Sequence, residues 1–171
     1  STTQEICQPG TWQEQAGQDY CDFASAGHVV SETMEATYSV SLGAYDSCAI
    51  TSQGYLYCWG DNSDGQNGQP PLGGGNFYDS WSPELVNLGG SRVDAVTSGG
   101  LEEYGSHTCA ILDSGELFCW GDNNIGQLGT GDLDTEANCW CNSTPSQVCL
   151  PGLPDFESVS AGDQHTCAII Q

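Results

Sequence analysis

Ten cysteines are the most reactive feature of this sequence: Cys7, Cys21, Cys48, Cys58, Cys109, Cys119, Cys139, Cys141, Cys149 and Cys167. An even count at ordered spacings in an acidic chain predicts a disulfide framework made in an oxidising compartment. The rival use of thiols is zinc binding, which wants Cys-x-x-Cys pairs or grouped histidines. Cys139-Trp140-Cys141 is a Cys-x-Cys, no Cys-x-x-Cys occurs, and His28, His107 and His165 are scattered. Carboxylates offer a second chemistry. Asp61, Asp64, Asp122, Asp132 and Asp134 are candidate Ca²⁺ ligands, but the EF-hand spacing is missing, and solvated acidic turns are the plainer expectation. No other cofactor is expected. With no Gly-x-Ser-x-Gly elbow and no phosphate loop carrying Lys, the sequence predicts no catalytic residues and a non-enzymatic protein. Asn142-Ser143-Thr144 is a glycosylation sequon. It lies in a Pro- and Cys-rich insertion, 132–151, which reads as an exposed loop.

The charge excludes several partners. Asp and Glu number 23 against a single cation, Arg92, for a net charge of −22. Nucleic acid and anionic membranes are both reached through Lys and Arg, so neither is expected as a partner. No apolar run of 18 residues is present, so no membrane insertion is expected. Such self-repulsion is offset by salt, divalent cations or disulfides, which suits a secreted or cell-surface protein in a saline exterior. The start at Ser1 suits a mature, processed form.

An internal repeat organises the rest. Residues 48–68, CAITSQGYLYCWGDNSDGQNG, match 109–129, CAILDSGELFCWGDNNIGQLG, at 13 of 21 positions. A third copy opens with SVSAGDQHTCAI at 158–169, matching SVSLGAYDSCAI at 39–50. In the second copy five extra residues, LEEYG, interrupt the lead-in. Cys48 and Cys58 are symmetric about Gln53, so a three-residue turn at 52–54 places them opposite each other on paired strands. Gly54 supplies the left-handed residue. A cross-strand Cα separation of about 5.5 Å is expected, within disulfide range. The same reasoning pairs Cys109 with Cys119 around Ser114, with Gly115 in the turn. The Gly-Asp-Asn stretches followed by Gly-Gln read as turn chemistry. Trp59 and Trp120, at equivalent positions, are expected to pack, as are His107 and His165, whose position Asp46 holds in the first copy. Trp12, Trp81 and Trp140 fall outside the repeated pattern and are the candidates for exposed contact surfaces.

The pattern His-Thr-Cys-Ala-Ile, turn Gly, Leu-Phe-Cys-Trp-Gly-Asp-Asn-x-x-Gly-Gln-Leu-Gly resembles the regulator of chromosome condensation repeat, especially its secreted branch with paired cysteines. The resemblance covers about residues 38–171. It implies a β-propeller of four-stranded blades, commonly seven. The founding member's nuclear exchange activity is not implied, since family membership does not fix function. Residues 7–30 resemble an ephrin-receptor-like cysteine-rich module, which implies a Cys7–Cys21 pair. A Cys7–Cys167 pair across a chain junction competes with it. The junction CAIIQ/STTQEIC sets those cysteines 11 apart, against 10 within each intact repeat. The partners of Cys139, Cys141 and Cys149 stay open.

The expected fold is therefore all-β: an incomplete β-propeller-like array of antiparallel blades, two full repeats plus the start of a third, with a small cysteine-rich N-terminal module. Residues 1–37 form the N-terminal segment, a candidate strand donor. Residues 38–171 hold the repeats, divided 38–92, 93–156 and a partial 157–171. Closed propellers use about four to eight blades, so an unpaired strand edge is expected. The first functional reading is an extracellular structural subunit of a surface assembly or filament. It would self-associate by strand complementation, as a homo-oligomer or head-to-tail polymer. The alternative is a lectin-like or protein-binding module of a longer cell-surface protein.

Overall fold

The computed structural model describes residues 11–12, 22–23, 37–71, 77–101, 105–131, 141–148 and 155–170. All regular structure among them is antiparallel β, and no helix is long and apolar enough to cross a membrane. Short strands β1 (Thr11–Trp12) and β2 (Asp22–Phe23) pair with each other. Blade 1 is a four-stranded sheet in sequential order, β3 (Thr37–Leu42), β4 (Asp46–Thr51), β5 (Leu56–Gly60) and β6 (Ser80–Leu85). Blade 2 repeats it with β7 (Val93–Leu101), β8 (Gly105–Leu112), β9 (Leu117–Asp122) and β10 (Cys141–Gln147). A third sheet holds β11 (Phe156–Ala161) and β12 (Thr166–Ile170). This is the incomplete array read from the repeat. The first strands of the three sheets begin at Thr37, Val93 and Phe156.

Each hairpin follows from its sequence. Gly54 and Gly115 take φ of +83° and +84°, left-handed values that other residues resist. Their amides donate to the carbonyls of Thr51 and Leu112, both at 2.9 Å. That turn fixes the register, Cys48 opposite Cys58 and Cys109 opposite Cys119. Both disulfides form, with Cα separations of 4.1 Å. The expected 5.5 Å is thus corrected. It belongs to a hydrogen-bonded pair, and these rungs have the closer approach of a non-hydrogen-bonded one.

In blade 2 the pairing of β7 with β8 runs as far as Leu101 opposite Gly105, beyond the extent of the β3–β4 pairing in blade 1. One further expectation is corrected. The sequon does not lie in a loop. Asn142 pairs with Gly121, and Ser143 is buried, because this stretch supplies the fourth strand of blade 2. The strand was hidden in the sequence by Pro145, which falls where the register shifts between Asn142 and Ser146, the kind of bulged edge that tolerates proline.

The core lies between the blades. Cys48, Ile50, Leu56, Cys58 and Val86 of blade 1 pack on Val93, Ala110, Leu112 and Trp120 of blade 2. The next seam joins Ile111, Leu117 and Leu128 to Phe156. Polar contacts recur at the same phase. The Ser98 amide donates to Ser41 Oγ at 2.8 Å, and the Ala161 amide to Thr97 Oγ1 at 3.1 Å. Likewise the Val93 and Phe156 amides donate to the carbonyls of turn glycines Gly54 and Gly115.

Candidate functional site

The Gly-Asp-Asn turns are built alike. Gln66 Nε2 donates to Asp61 Oδ2 at 2.7 Å, while the Asp64 amide donates to Gln66 Oε1 at 3.0 Å. In blade 2, Gln127 links Asp122 and the Ile125 amide in the same way. Asn62 and Asn123 each accept a backbone amide five residues on. These are turn-closing bonds, as expected, with the amides spent inside the turn rather than offered to a phosphate. Asp122 is buried, not solvated, in correction of the open acidic turn expected there. Its burial, followed by the charge of Asp64, raises its carboxyl pKa, against amide donors from Asn124 and Asn123 and Gln127.

The blade 1 turn forms the floor of an open groove of about 500 Å³. Tyr45, Asp61 and Asp64 line it, with Asp79 and Trp81 from the start of β6 on one side and Leu101 and Ser106 from the lengthened blade 2 hairpin on the other. Trp81 is 93% exposed, and Tyr45 and Leu101 are more than half exposed. Each carboxylate is pinned. Asp61 accepts from Ser63 and Gln66, Asp64 Oδ2 from the Ser106 amide at 2.9 Å, and Asp79 Oδ1 from the Asn62 amide at 3.2 Å. Burial and the Asp61 charge raise the Asp64 pKa, opposed by the Ser106 amide.

The other sites divide as follows. Asp61 and Asp64 meet at the groove, Asp122 lies beside Gly105, and Asp132 and Asp134 fall outside the described residues. Among the described residues no three His, Cys, Asp or Glu are grouped to hold a metal ion. Cys7, Cys21, Cys139 and Cys149 fall outside them, as does Trp140. Cys141 is placed only by its backbone, opposite Asp122, and Trp12 only by its pairing with Asp22. Cys167 is free and exposed. Trp59 and Trp120 are buried, as equivalent packing residues should be.

A family model described as the regulator of chromosome condensation (RCC1) repeat matches residues 114–169, and a second of the same description matches 38–66. The chain carries RCC1 repeats. It is 33% identical over 132 residues to the human probable E3 ubiquitin-protein ligase HERC3, covering 76% of this chain and 11% of that protein. It is 34% identical over 153 residues to the mitochondrial RCC1 domain-containing protein RUG3 of Arabidopsis thaliana, covering 70% and 32%. The ultraviolet-B receptor UVR8 of the same plant is 29% identical over 131 residues, covering 76% and 26%. The chain thus spans a third or less of each of these relatives. The fold is that of human WBSCR16 (TM-score 0.65, 23% identity, 84% of this chain and 33% of that one) and of Prp20p from Saccharomyces cerevisiae (TM-score 0.63, 22% identity, 79% and 31%).

The RCC1 repeat places Asp46, His107 and His165 in one phase. His107 is fully buried at the seam, its Nε2 2.9 Å from Thr166 Oγ1. Thr166 Oγ1 donates to the Gln127 carbonyl at 2.8 Å, so its proton is committed and His107 must be the donor between them. The pair is a seam contact, not a base and its nucleophile. Burial, then the charge of His165, holds the His107 pKa down at about 4, against the opposing charge of Asp163. Asp46 is also buried, with neither carboxylate oxygen hydrogen-bonded. Burial, with a smaller push from Asp61, raises its pKa to about 6 despite the nearby Ser98. The two slopes oppose. The folded state holds the Asp46 proton between pH 3.8 and about 6, so the stability Asp46 contributes is lost as pH rises through that window. The unfolded state takes up the His107 proton below 6.5, so the stability His107 contributes is lost as pH falls towards 4. Denaturation at stepped pH should show the cost of Asp46→Asn shrinking as pH rises and the cost of His107→Gln growing. Parallel curves would refute both assignments.

Proposed function

We propose that this RCC1-repeat array is a non-catalytic protein-recognition module, with the groove between blades 1 and 2 as its binding surface. The observation that carries this is Trp81, an almost fully exposed indole on the rim of an open concavity. Tryptophan is enriched where proteins meet, because it buries a large area at low entropic cost. Work on the neighbour Prp20p concerns its binding to Gsp1p and histones and a complex with Kap60, which supports protein partners for this array as well. Panning a random peptide library on the chain tests the reading. Binders should be selected, and Trp81→Ala should lose them; binders indifferent to Trp81 would move recognition elsewhere.

A second reading keeps the extracellular assembly subunit, completed by a strand from a neighbouring copy. It is favoured by one feature. Beside β9 and β12 lies a groove of about 490 Å³ lined by Leu117, Leu128, Gly129, Val148 and Ile170. Gly129 repeats Gly68, against which the Trp120 ring of the next blade packs at the first seam. A strand paired with β12 would cover this groove and set a cysteine opposite Cys167. The N-terminal segment is the proposed donor; it brings Cys7, followed by Gln8 and Pro9 in place of the Trp-Gly of the intact repeats. Non-reducing denaturing electrophoresis would show a ladder for disulfide-linked donation and a single band against it.

A further inference from the structure

We propose that the groove takes a cationic segment of a partner polypeptide, with an arginine side chain stacked on Trp81 and its guanidinium directed to the carboxylates of Asp61, Asp64 and Asp79. This deepens the recognition reading and rests on it.

The charge argument comes first. Three carboxylates share one concavity, and the whole chain holds a single Lys or Arg. That residue, Arg92, lies against Gly54 at the β4–β5 turn. The groove is at the other end of β5, beside Gly60, and a five-residue strand separates the two by roughly 17 Å. Arg92 therefore cannot answer the groove, and among the described residues its charge is left for a positive group from outside.

The shape of the site then selects among cations. A divalent ion needs several oxygens converging at about 2.0–2.6 Å, and no such grouping is present among the described residues. Nor would an ion use the exposed indole. An organic cation uses both, since it is attracted to an aromatic face and to carboxylates. Guanidinium suits the pair better than ammonium, because it is planar, stacks on rings and carries a fork of N–H donors. The carboxylates are already held by Ser63, Gln66, Asn62 and the Ser106 amide. Little ordering is left to oppose binding. These bonds leave Asp64 Oδ1 and Asp79 Oδ2 for an incoming donor.

The test is calorimetric titration of the full chain with capped tetra-arginine, tetra-lysine and tetra-glutamate peptides at low and high salt. Tetra-arginine should bind saturably and more tightly than tetra-lysine, tetra-glutamate should not bind, and salt should weaken the complex. Trp81→Ala should weaken tetra-arginine roughly two- to fivefold and erase its advantage over tetra-lysine. Asp79→Asn keeps the oxygen that holds the Asn62 amide and removes the charge; it should weaken both basic peptides. Glu157→Gln on β11 removes the same charge away from the groove and should change neither. Equal losses in Asp79→Asn and Glu157→Gln with none in Trp81→Ala would mean a diffuse field and overturn the proposal. Absence of saturable tetra-arginine binding would also overturn it. A library binder without basic residues that still depends on Trp81 would overturn this inference and leave the recognition reading standing.

Discussion

Trp120→Ala is expected to cost about 3–5 kcal/mol of folding stability, the range for deleting a buried tryptophan. The ring is wholly inaccessible and belongs to the cluster joining blades 1 and 2. Its Nε1–H donates to the Gln66 carbonyl at 2.8 Å, so truncation also leaves a buried acceptor unpaired. Collapse around the cavity is hindered by the fit. A Cβ at Gly68 would lie 3.1 Å from Trp120 Nε1 and 2.9 Å from Val86 Cγ1, and Gly68 has φ of +69°, so this backbone is already as close as it can come. Trp120→Phe keeps most of the apolar surface and loses the hydrogen bond, for about 1–3 kcal/mol. Trp81→Ala, at an exposed position, should stay within about 0.5 kcal/mol. Urea denaturation of the three variants orders them, and a Trp81 cost matching that of Trp120 would contradict the burial described.

Removing one hairpin disulfide is expected to cost nearly as much. Closing a loop of this length is worth about 3 kcal/mol in the unfolded chain. Both cysteines of each pair are fully buried. The double change Cys48→Ala with Cys58→Ala avoids a stray thiol and should lower the unfolding free energy by about 3 kcal/mol, and the denaturation midpoint with it. The second pair sits in a different cluster, so the two losses should add to within a few tenths of a kcal/mol. Their sum, about 6 kcal/mol, is comparable with the whole stability of many domains. The chain lacking both pairs should therefore be unfolded or nearly so at 25 °C, as shown by near-ultraviolet circular dichroism. A cooperative transition with an unchanged midpoint would contradict this.

The blades were legible because their cues are local. Gly54 and Gly115 mark the turns, and the cysteines five residues either side of the turn centres fix register before any tertiary contact is considered. The expected packing of Trp59 and Trp120 followed from their repeated position. The groove was only half legible. Trp81 stood out as an unrepeated tryptophan, and Asp61 and Asp64 as turn carboxylates. Tyr45, Asp79, Leu101 and Ser106 carried no signal, because they come from separate turns of two blades that face each other only across a seam. Nothing in the segment before β6 or in the β7–β8 hairpin says that they meet. The sequon strand was missed for a related reason. A fourth strand with proline and small polar residues has no alternating apolar pattern to announce it, and it exists because β9 offers it an edge.

The placement of the staples also has a mechanical meaning. Both lie inside a blade, tying neighbouring strands of one hairpin, and the seams between blades are held by packing and single hydrogen bonds. Under a pull along the chain, the blades would part from one another before either hairpin could open fully. The stretch from Cys48 to Cys58 could reach roughly 35 Å if drawn straight, yet its ends are fastened 4.1 Å apart. Each blade thus withholds some thirty ångströms of slack (roughly 30 Å) from a stretched molecule until its sulfur bond is cut. Reduction would then act as a release of length as well as a loss of stability.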